Sequence, residues 1–262
     1  MNKKDYDALN RLKEESPKLK ELLDKETAAH YKNLSIASHE ILNHLSFIGS
    51  SYQIISSKYP ETKDFKFWDN MGTSINKLTE FMQRTSLCRY CVFPQKSPVL
   101  INEILYQLPD EADNRYPDED RLFSFNVEDK KIEINADREH ILIAFNELIA
   151  NSYDATQNND TISICSHLSE DLTTYTITVS NEGHLPEICL PLTFGQTSDD
   201  ATHSPDDMEI LTRAFYTTKN NHCGLGLYIA MIVCTAHNGN LSVSQDYQST
   251  HFHIKLPVTR IL

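Results

Sequence analysis

Three polar residues share one face of a helix that the sequence predicts near the middle of the chain. Glu147, Asn151 and Asp154 stand at positions i, i+4 and i+7, and a helix advances about 100° per residue. A carboxylate and an amide one turn apart offer oxygen ligands that suit a Mg²⁺ ion carrying a triphosphate. The same pattern also fits an amphipathic surface helix whose acidic residues are solvated, so a second feature has to decide.

A glycine turn about seventy residues further along the chain supplies that second feature. Gly224, Leu225 and Gly226 open another predicted helix. Glycine lets backbone N–H groups approach a ligand closely, and the positive end of the helix dipole favours phosphate. The turn alone is a weak signal. Together with the polar face of Glu147 and Asn151, it predicts a site for the phosphates and metal of a nucleotide.

The two segments resemble the N box and the G2 box of an ATPase domain that histidine kinases share with gyrase-type topoisomerases, mismatch-repair ATPases and Hsp90. Upstream, His39 followed by Glu40, with Asn43 at i+4, resembles the H box of histidine kinases. An imidazole must give up a proton to attack a phosphate, and a neighbouring carboxylate can accept it. The resemblance implies that His39 takes the γ-phosphate of ATP, aided by Glu40. It also implies that Asn43 orients a water for removing phosphate from a partner.

A zinc helix is excluded for the same segment. His39, Glu40 and His44 form a His-Glu-x-x-x-His sequence, whereas zinc helices carry His-Glu-x-x-His. The longer spacing places the two imidazoles about 140° apart around the helix, which is too far for both to bind one metal ion.

The resemblance to histidine kinases implies ATP and Mg²⁺ as cofactors and assigns roles within the nucleotide site. Asn151 and Glu147 would hold Mg²⁺, and Asn181 stands where the family has an aspartate that accepts a hydrogen bond from adenine. The amide oxygen of Asn181 can still accept that bond, but the bond is weaker because the amide carries no charge. The other predicted nucleotide contacts are Asp154, Gly183, Lys219, Gly224, Leu225 and Gly226.

Two departures from the family pattern affect this site. Leu185 stands in place of a glycine shortly after Asn181, and His222 stands in place of the first glycine of the G2 turn. A side chain in place of glycine removes backbone freedom. We therefore expect the departures to reduce adenine affinity more than phosphate binding.

Two long helices are predicted before the nucleotide site. The first runs from about Thr27 to Ser57 and the second from about Phe65 to Leu87, while Pro17 interrupts a preceding helical region at 3–30. Apolar residues recur every three or four positions, so each helix carries one apolar stripe. A two-helix hairpin cannot bury both stripes alone. This predicts a homodimer with a four-helix bundle, as in the dimerisation and phosphotransfer domain of histidine kinases.

The rest of the chain has an α+β pattern. Prolines at 94–98 predict a linker, and Asp137 is a predicted N-cap for the Glu147 helix. The fold class is a mixed sheet with helices on one face, which the resemblance identifies as an α/β-sandwich of the Bergerat type. The predicted strands are 122–127, 131–135, 161–168, 173–180, 240–245 and 251–256, and a helix is predicted at 99–108. The predicted domains are an N-terminal helical extension at 1–29, a dimerisation and phosphotransfer domain at 30–92, and a GHKL-type ATP-binding domain at 99–260.

Composition narrows the classes of partner. A formal net charge of −13 argues against a nucleic-acid surface, which needs clustered Lys and Arg. No apolar run approaches the roughly 20 residues of a membrane span, and the N-terminus lacks an apolar signal core. We therefore expect a cytoplasmic protein with reduced cysteines. Cys88 and Cys91 have the spacing of a redox or metal pair, but no second pair accompanies them.

The leading prediction is a soluble histidine kinase that phosphorylates its own His39 and passes the phosphoryl group to an aspartate in the receiver domain of a response regulator. A separate sensor or upstream partner is expected to supply the signal. The alternative is a catalytically weak or inactive relative that relays or removes phosphate, and nucleotide binding separates the two. A third alternative is an ATP hydrolase in which Glu147 activates water, although the H box argues against it.

Overall fold

The computed structural model describes residues 16–128, 130–183, 211–217 and 223–262. The chain divides into two compact units, one ending at Arg89 and the other beginning at Tyr90. No helix of the described residues is long and apolar enough to cross a membrane.

The first unit is a helical hairpin. Helix α1 spans Pro17–Lys58, a 3₁₀ helix follows at Pro60–Asp64, and helix α2 spans Trp68–Tyr90. The Ser16 side chain caps α1 by accepting from the backbone N–H of Leu19 at 3.3 Å. Pro17 is the first residue of this helix, since proline lacks the N–H that a first helical turn leaves unused. The part of the predicted helical region that precedes Ser16 lies outside the described residues. The predicted start at Thr27 was therefore ten residues late.

Aromatic packing fixes the two helices of the hairpin against each other. The Tyr52 ring stacks on Trp68 with centroids 4.9 Å apart, and the Trp68 indole N–H donates to Ser56 Oγ at 2.9 Å. Tyr52 also fills the space beside Gly72, where an added Cβ would lie 2.5 Å from the ring. The end of α1 thus meets the beginning of α2, which is the arrangement of an antiparallel hairpin.

The second unit contains two sheets. The larger has the order β2-β4-β5-β7-β6, in which β2 and β4 are parallel and the other neighbours antiparallel; the smaller has the order β1-β3-β8 and is antiparallel. The strands are β1 Ser97–Leu100, β2 Leu122–Asn126, β3 Ile132–Ala136, β4 Thr161–Leu168, β5 Thr174–Glu182, β6 Asn240–Gln245, β7 Ser249–Pro257 and β8 Arg260–Ile261. The predicted mixed sheet is therefore confirmed for the larger sheet.

The helices of the second unit form the other layer. They are α3 Ile101–Leu105, α4 Leu108–Arg115, α5 Arg138–Ala155 and α6 Gly226–Ala236. Residues Tyr175, Ile177 and Val179 alternate along β5 and are fully buried, as expected where one face of a strand supports the core. Both α5 and α6 pack on the sheet, and they also pack on each other.

Two predictions for this region were wrong. The residues Ser97 and Pro98, taken as the end of a linker, pair with β3, where Pro98 sits on the edge strand that tolerates proline. The predicted helix at 99–108 is two short helices, because the chain turns at Tyr106 and Gln107 before Pro109 opens α4. Strand β8 was not predicted, and its two residues carry too little pattern to be recognised.

Candidate functional site

Helix α5 carries the predicted polar face, and its N-terminus is held firmly. The Asp137 side chain accepts from the backbone N–H groups of Glu139 and His140 at 3.1 and 3.3 Å, which confirms the predicted N-cap. Its second oxygen accepts from the Gln95 N–H at 2.7 Å. Burial raises the pKa of Asp137, but these hydrogen bonds outweigh burial and leave the pKa below its ordinary value. The Asp137 backbone N–H donates to His237 Nε2 at 3.0 Å, which ties α5 to the end of α6.

The three predicted residues on this face differ in burial. Glu147 is only 4% exposed, Asn151 is half-buried and Asp154 is exposed. The amide nitrogen of Asn151 is covered, yet it makes no hydrogen bond to any of the described residues. Buried N–H groups in folded proteins nearly always have an acceptor, so this nitrogen is available to donate to a bound group. A phosphate oxygen is such an acceptor.

Asn181 lies at the end of β5, beside the same helix. It is 3% exposed; its Oδ1 lies 3.1 Å from Ser152 Oγ and its Nδ2 lies 2.7 Å from the Glu182 carbonyl oxygen. The carbonyl can only accept, so the nitrogen must face it and the oxygen must face Ser152. The Asn181 oxygen keeps a second lone pair, and it can therefore accept one more hydrogen bond from a ligand, as predicted for adenine.

Two glycines shape the backbone around this helix. Gly183 has φ +105°, and an added Cβ would lie 3.2 Å from the Ala155 carbonyl at the end of α5. Gly224 has φ +66°, and an added Cβ would lie 2.6 Å from the Tyr216 carbonyl oxygen. Positive φ and close backbone approach both require glycine. The backbone conformation therefore requires glycine at both positions.

Gly224 leads into the N-terminus of α6. Leu225 is buried and anchors the turn, while Gly226 is the first residue of the helix. Within the described residues no side chain caps this end. The first N–H groups of α6 therefore keep the character of an anion site. Lys219, Leu185 and His222 lie outside the described residues.

The H-box residues all lie on α1 in the first unit. His39, Glu40 and Asn43 are exposed, as the predicted chemistry requires of groups that meet a second molecule. The Asn43 amide nitrogen lies 3.1 Å from His39 Nδ1. The role predicted for Glu40, which is to accept the imidazole proton during the reaction, stays a prediction.

Sequence reasoning missed a cluster at the C-terminal end of α5. The buried guanidinium of Arg121 donates to the Thr156 hydroxyl and to the carbonyls of Tyr153 and Thr156, at 2.8, 3.3 and 2.9 Å. It also lies over the Tyr153 ring, which stacks on Tyr116 with centroids 4.2 Å apart. Burial raises the pKa of both tyrosines. The cluster fixes the end of the helix that carries Asn151, and no local motif in the sequence signals it.

The comparison with protein families bears on the second unit. Residues 136–260 match the family described as histidine kinase-, DNA gyrase B- and HSP90-like ATPase. The match begins one residue before the Asp137 cap and includes Asn151, Asn181 and the Gly224 turn. Residues 136–260 are thus an ATPase domain of the kind that histidine kinases share with DNA gyrase B and HSP90. The resemblance predicted from the sequence is thereby confirmed.

A curated relative extends the similarity to most of the chain. Sporulation kinase C of Bacillus subtilis (strain 168) is 23% identical over 251 residues, which cover 90% of this chain and 52% of the relative. The chain thus spans about half the length of this curated relative.

Solved structures share the fold. The Acinetobacter baumannii histidine kinase AdeS matches with a TM-score of 0.53 and 13% identity, covering 85% of this chain and 98% of that one. Full-length ShkA in complex with AMPPNP matches with a TM-score of 0.62 and 16% identity, covering 87% of this chain and 46% of that one.

Proposed function

We propose that the chain is an ATP-dependent histidine kinase that phosphorylates its own His39. The product is then a phosphoimidazole whose phosphoryl group passes to an aspartate of a response regulator. The family membership of residues 136–260 supports ATP as the donor. The observation that carries the proposal is the covered amide nitrogen of Asn151, which makes no hydrogen bond within the described part of the chain and lies on the same helix face as the buried Glu147.

The residues present fit a nucleotide and its metal ion. Glu147 and Asn151 offer a carboxylate and an amide oxygen one turn apart, and these would hold Mg²⁺. Mg²⁺ neutralises phosphate charge when bound. The base would meet Asn181 and Gly183, and the phosphates would meet the Gly224–Gly226 turn at the N-terminus of α6. Asp154 and Lys219 complete the proposed set.

The chemical step needs only a few groups from the protein. The His39 Nε2 lone pair would form the P–N bond while the bond to the bridging oxygen breaks and ADP leaves. The imidazole proton would pass to the Glu40 carboxylate, which precedes Asn43 on the exposed side of α1. Since His39 and Asn151 belong to different units, the step also requires the two units to meet productively.

A second candidate function is a phosphate relay or phosphatase scaffold with a weak nucleotide site. The neutral amide of Asn181 favours it, because this amide replaces the charged acceptor of the family. In that case His39 accepts phosphate from a phosphorylated regulator, and ATP does not label the chain.

We further propose that the protein acts as a homodimer. Apolar side chains at Leu34, Ile41, Ile48 and Ile55 stay exposed along one stripe of α1. A second copy of the hairpin would cover this stripe and form a four-helix bundle. The input would then come from a separate sensor or upstream partner, and the output would go to the receiver domain.

Calorimetry with Mg²⁺ and ATP tests the nucleotide site. We expect the wild type to bind and Asn151→Ala to abolish binding, because both the metal ligand and the buried donor are lost. Asn126→Ala is the matched control, since this asparagine lies exposed on β2 of the same unit. Wild type that does not bind ATP would exclude the kinase and leave the scaffold.

Asn181→Asp tests the part of the site that would contact adenine. Its affinity for ATP should rise, whereas its free energy of unfolding should fall. The variant should bind ATP more tightly by about 1 kcal/mol, the difference between a neutral and a charge-assisted hydrogen bond. It should also unfold more easily, since a carboxylate oxygen would face the Glu182 carbonyl where the amide now donates. Unchanged or weaker ATP binding would exclude Asn181 from the adenine contact.

A further inference from the structure

The side chains of His39 and Asn43 touch on the exposed side of α1. Asn43 Nδ2 lies 3.1 Å from His39 Nδ1. In this orientation of the amide its nitrogen can only donate, so Nδ1 of the neutral imidazole is the acceptor. The ring proton must then be on Nε2. Asn43 therefore selects one of the two tautomers of His39.

In this tautomer neither ring nitrogen of His39 has a free lone pair that could attack phosphorus. A neutral imidazole has one nitrogen lone pair in the ring plane, and here Nδ1 carries it and shares it with Asn43. Nε2 carries hydrogen and cannot attack phosphorus. We propose that Asn43 masks His39 at rest, so that phosphoryl acceptance requires this hydrogen bond to break. The inference rests on the proposed role of His39 as phosphoryl acceptor.

A half-turn of the Asn43 amide reverses its effect. Oδ1 would then face Nδ1 and accept Nδ1–H, which leaves the lone pair on Nε2. Both side chains are exposed, so water can replace the lost contacts during the turn. The transfer then balances as described for the kinase step: the P–N bond forms at Nε2 as ADP leaves, the Nδ1–H contact with Asn43 breaks, and the Nδ1 proton passes to Glu40. Asn43 is thus a positioning residue whose two amide orientations block and permit the reaction.

Nitrogen-15 NMR of the full chain reads the tautomer directly. At pH about 8 an ordinary imidazole is neutral, and protonated and unprotonated ring nitrogens have distinct shifts. We expect wild type to show His39 with the proton on Nε2, assigned among the eleven histidines by its loss in His39→Ala. Asn43→Ala should move population toward Nδ1–H, and Asn43→Asp, which can only accept, should move it further.

Ser46→Ala is the matched control. Ser46 is exposed about one turn beyond Asn43, and its hydroxyl donates to the Leu42 carbonyl at 2.8 Å rather than to His39. This variant should keep the wild-type tautomer. Identical tautomer ratios in wild type and Asn43→Ala would overturn the proposal.

Reactivity is measured with phosphoramidate, a small phosphoryl donor that needs no ATP site. Asn43→Ala should label at His39 about two- to fivefold faster than wild type, which corresponds to releasing one solvent-exposed hydrogen bond. Equal or slower labelling contradicts masking. If ATP never labels the wild type while phosphoramidate still reacts faster with Asn43→Ala, the kinase proposal fails and the masking stands.

Discussion

In the unit that begins at Tyr90, apolar side chains line a closed interior, whereas the helical hairpin leaves most of its apolar side chains in solvent. The fully buried residues Tyr175, Ile177 and Phe145 all lie in the second unit. Among the described hairpin residues, Leu45 is the large apolar residue that is buried, while Phe47 is 74% exposed. The second unit can therefore account for its own stability, but the hairpin needs another surface to cover it.

The largest expected effect is on association. Ile48→Glu places a charge in the exposed stripe of α1, and burying an unpaired charge costs about 3–5 kcal/mol, so the dimer constant should weaken by at least about a hundredfold. Sedimentation equilibrium measures this change. Gln53→Glu adds the same charge elsewhere on the exposed surface of α1 and should leave association intact. If the wild type is monomeric at micromolar concentration, the proposed dimer is wrong, and the hairpin does not need a second copy to cover its apolar residues.

A matched pair of isoleucines compares the two units directly. Ile177→Ala removes a fully buried side chain from the larger sheet and should lower the free energy of unfolding by about 2–5 kcal/mol. Ile54→Ala removes a side chain from the hairpin surface and should change it by no more than about 0.5 kcal/mol. Urea unfolding measures both. Equal effects would show that the hairpin buries Ile54 in solution.

Two glycines test the packing within the hairpin. Gly72→Ala should cost about 1–3 kcal/mol, because the new Cβ would overlap the Tyr52 ring that is stacked on Trp68. Gly49→Ala meets Ile75 at an ordinary 3.6 Å and should gain up to about 1 kcal/mol from helix propensity. Thermal unfolding distinguishes the two variants. An unchanged melting temperature in Gly72→Ala would mean that Tyr52 does not fill the space beside Gly72.

Acid should destabilise the second unit through three histidines, of which His140 and His237 are buried and His253 is half-buried. Burial lowers the pKa of His140, His237 and His253, so the folded state favours their neutral forms. For His140, the nearby charges Asp137 and Glu139 oppose this effect without reversing it. Below about 6.5, the ordinary pKa of histidine, the unfolded chain binds more protons than the folded one, so stability should fall as pH decreases through that range.

His140→Phe isolates one of these groups. Both ring nitrogens of His140 lack hydrogen bonds to the described residues, and its ring packs edge-on against Tyr90 at 4.5 Å. Phenylalanine keeps the ring and removes the titration, so the loss of stability toward acid should be shallower. Denaturant unfolding at several pH values measures the slope. An unchanged slope would mean that His140 does not titrate differently in the folded and unfolded chain.

Features that depend on neighbouring residues could be predicted from the sequence, whereas features that join distant segments could not. Asp137 as an N-cap and Gly224 as a turn glycine follow from local backbone chemistry, and both were predicted. Strand β1 was mistaken for linker and helix because its partner, β3, lies more than thirty residues away. The Arg121 cluster at the end of α5 joins distant segments in the same way. The Asn43–His39 contact was local, but its direction depends on side-chain rotamers that spacing does not specify.

Labelling with γ-labelled ATP and Mg²⁺ tests the central claim most directly. We expect wild type to acquire an acid-labile, base-stable label and His39→Ala to acquire none, because His39 is the proposed acceptor. Glu40→Gln should slow labelling without changing ATP affinity, since it removes the proton acceptor and keeps the shape. Wild type that binds ATP but never labels would contradict the kinase, and His39→Ala that labels as well as wild type would contradict the assignment of His39.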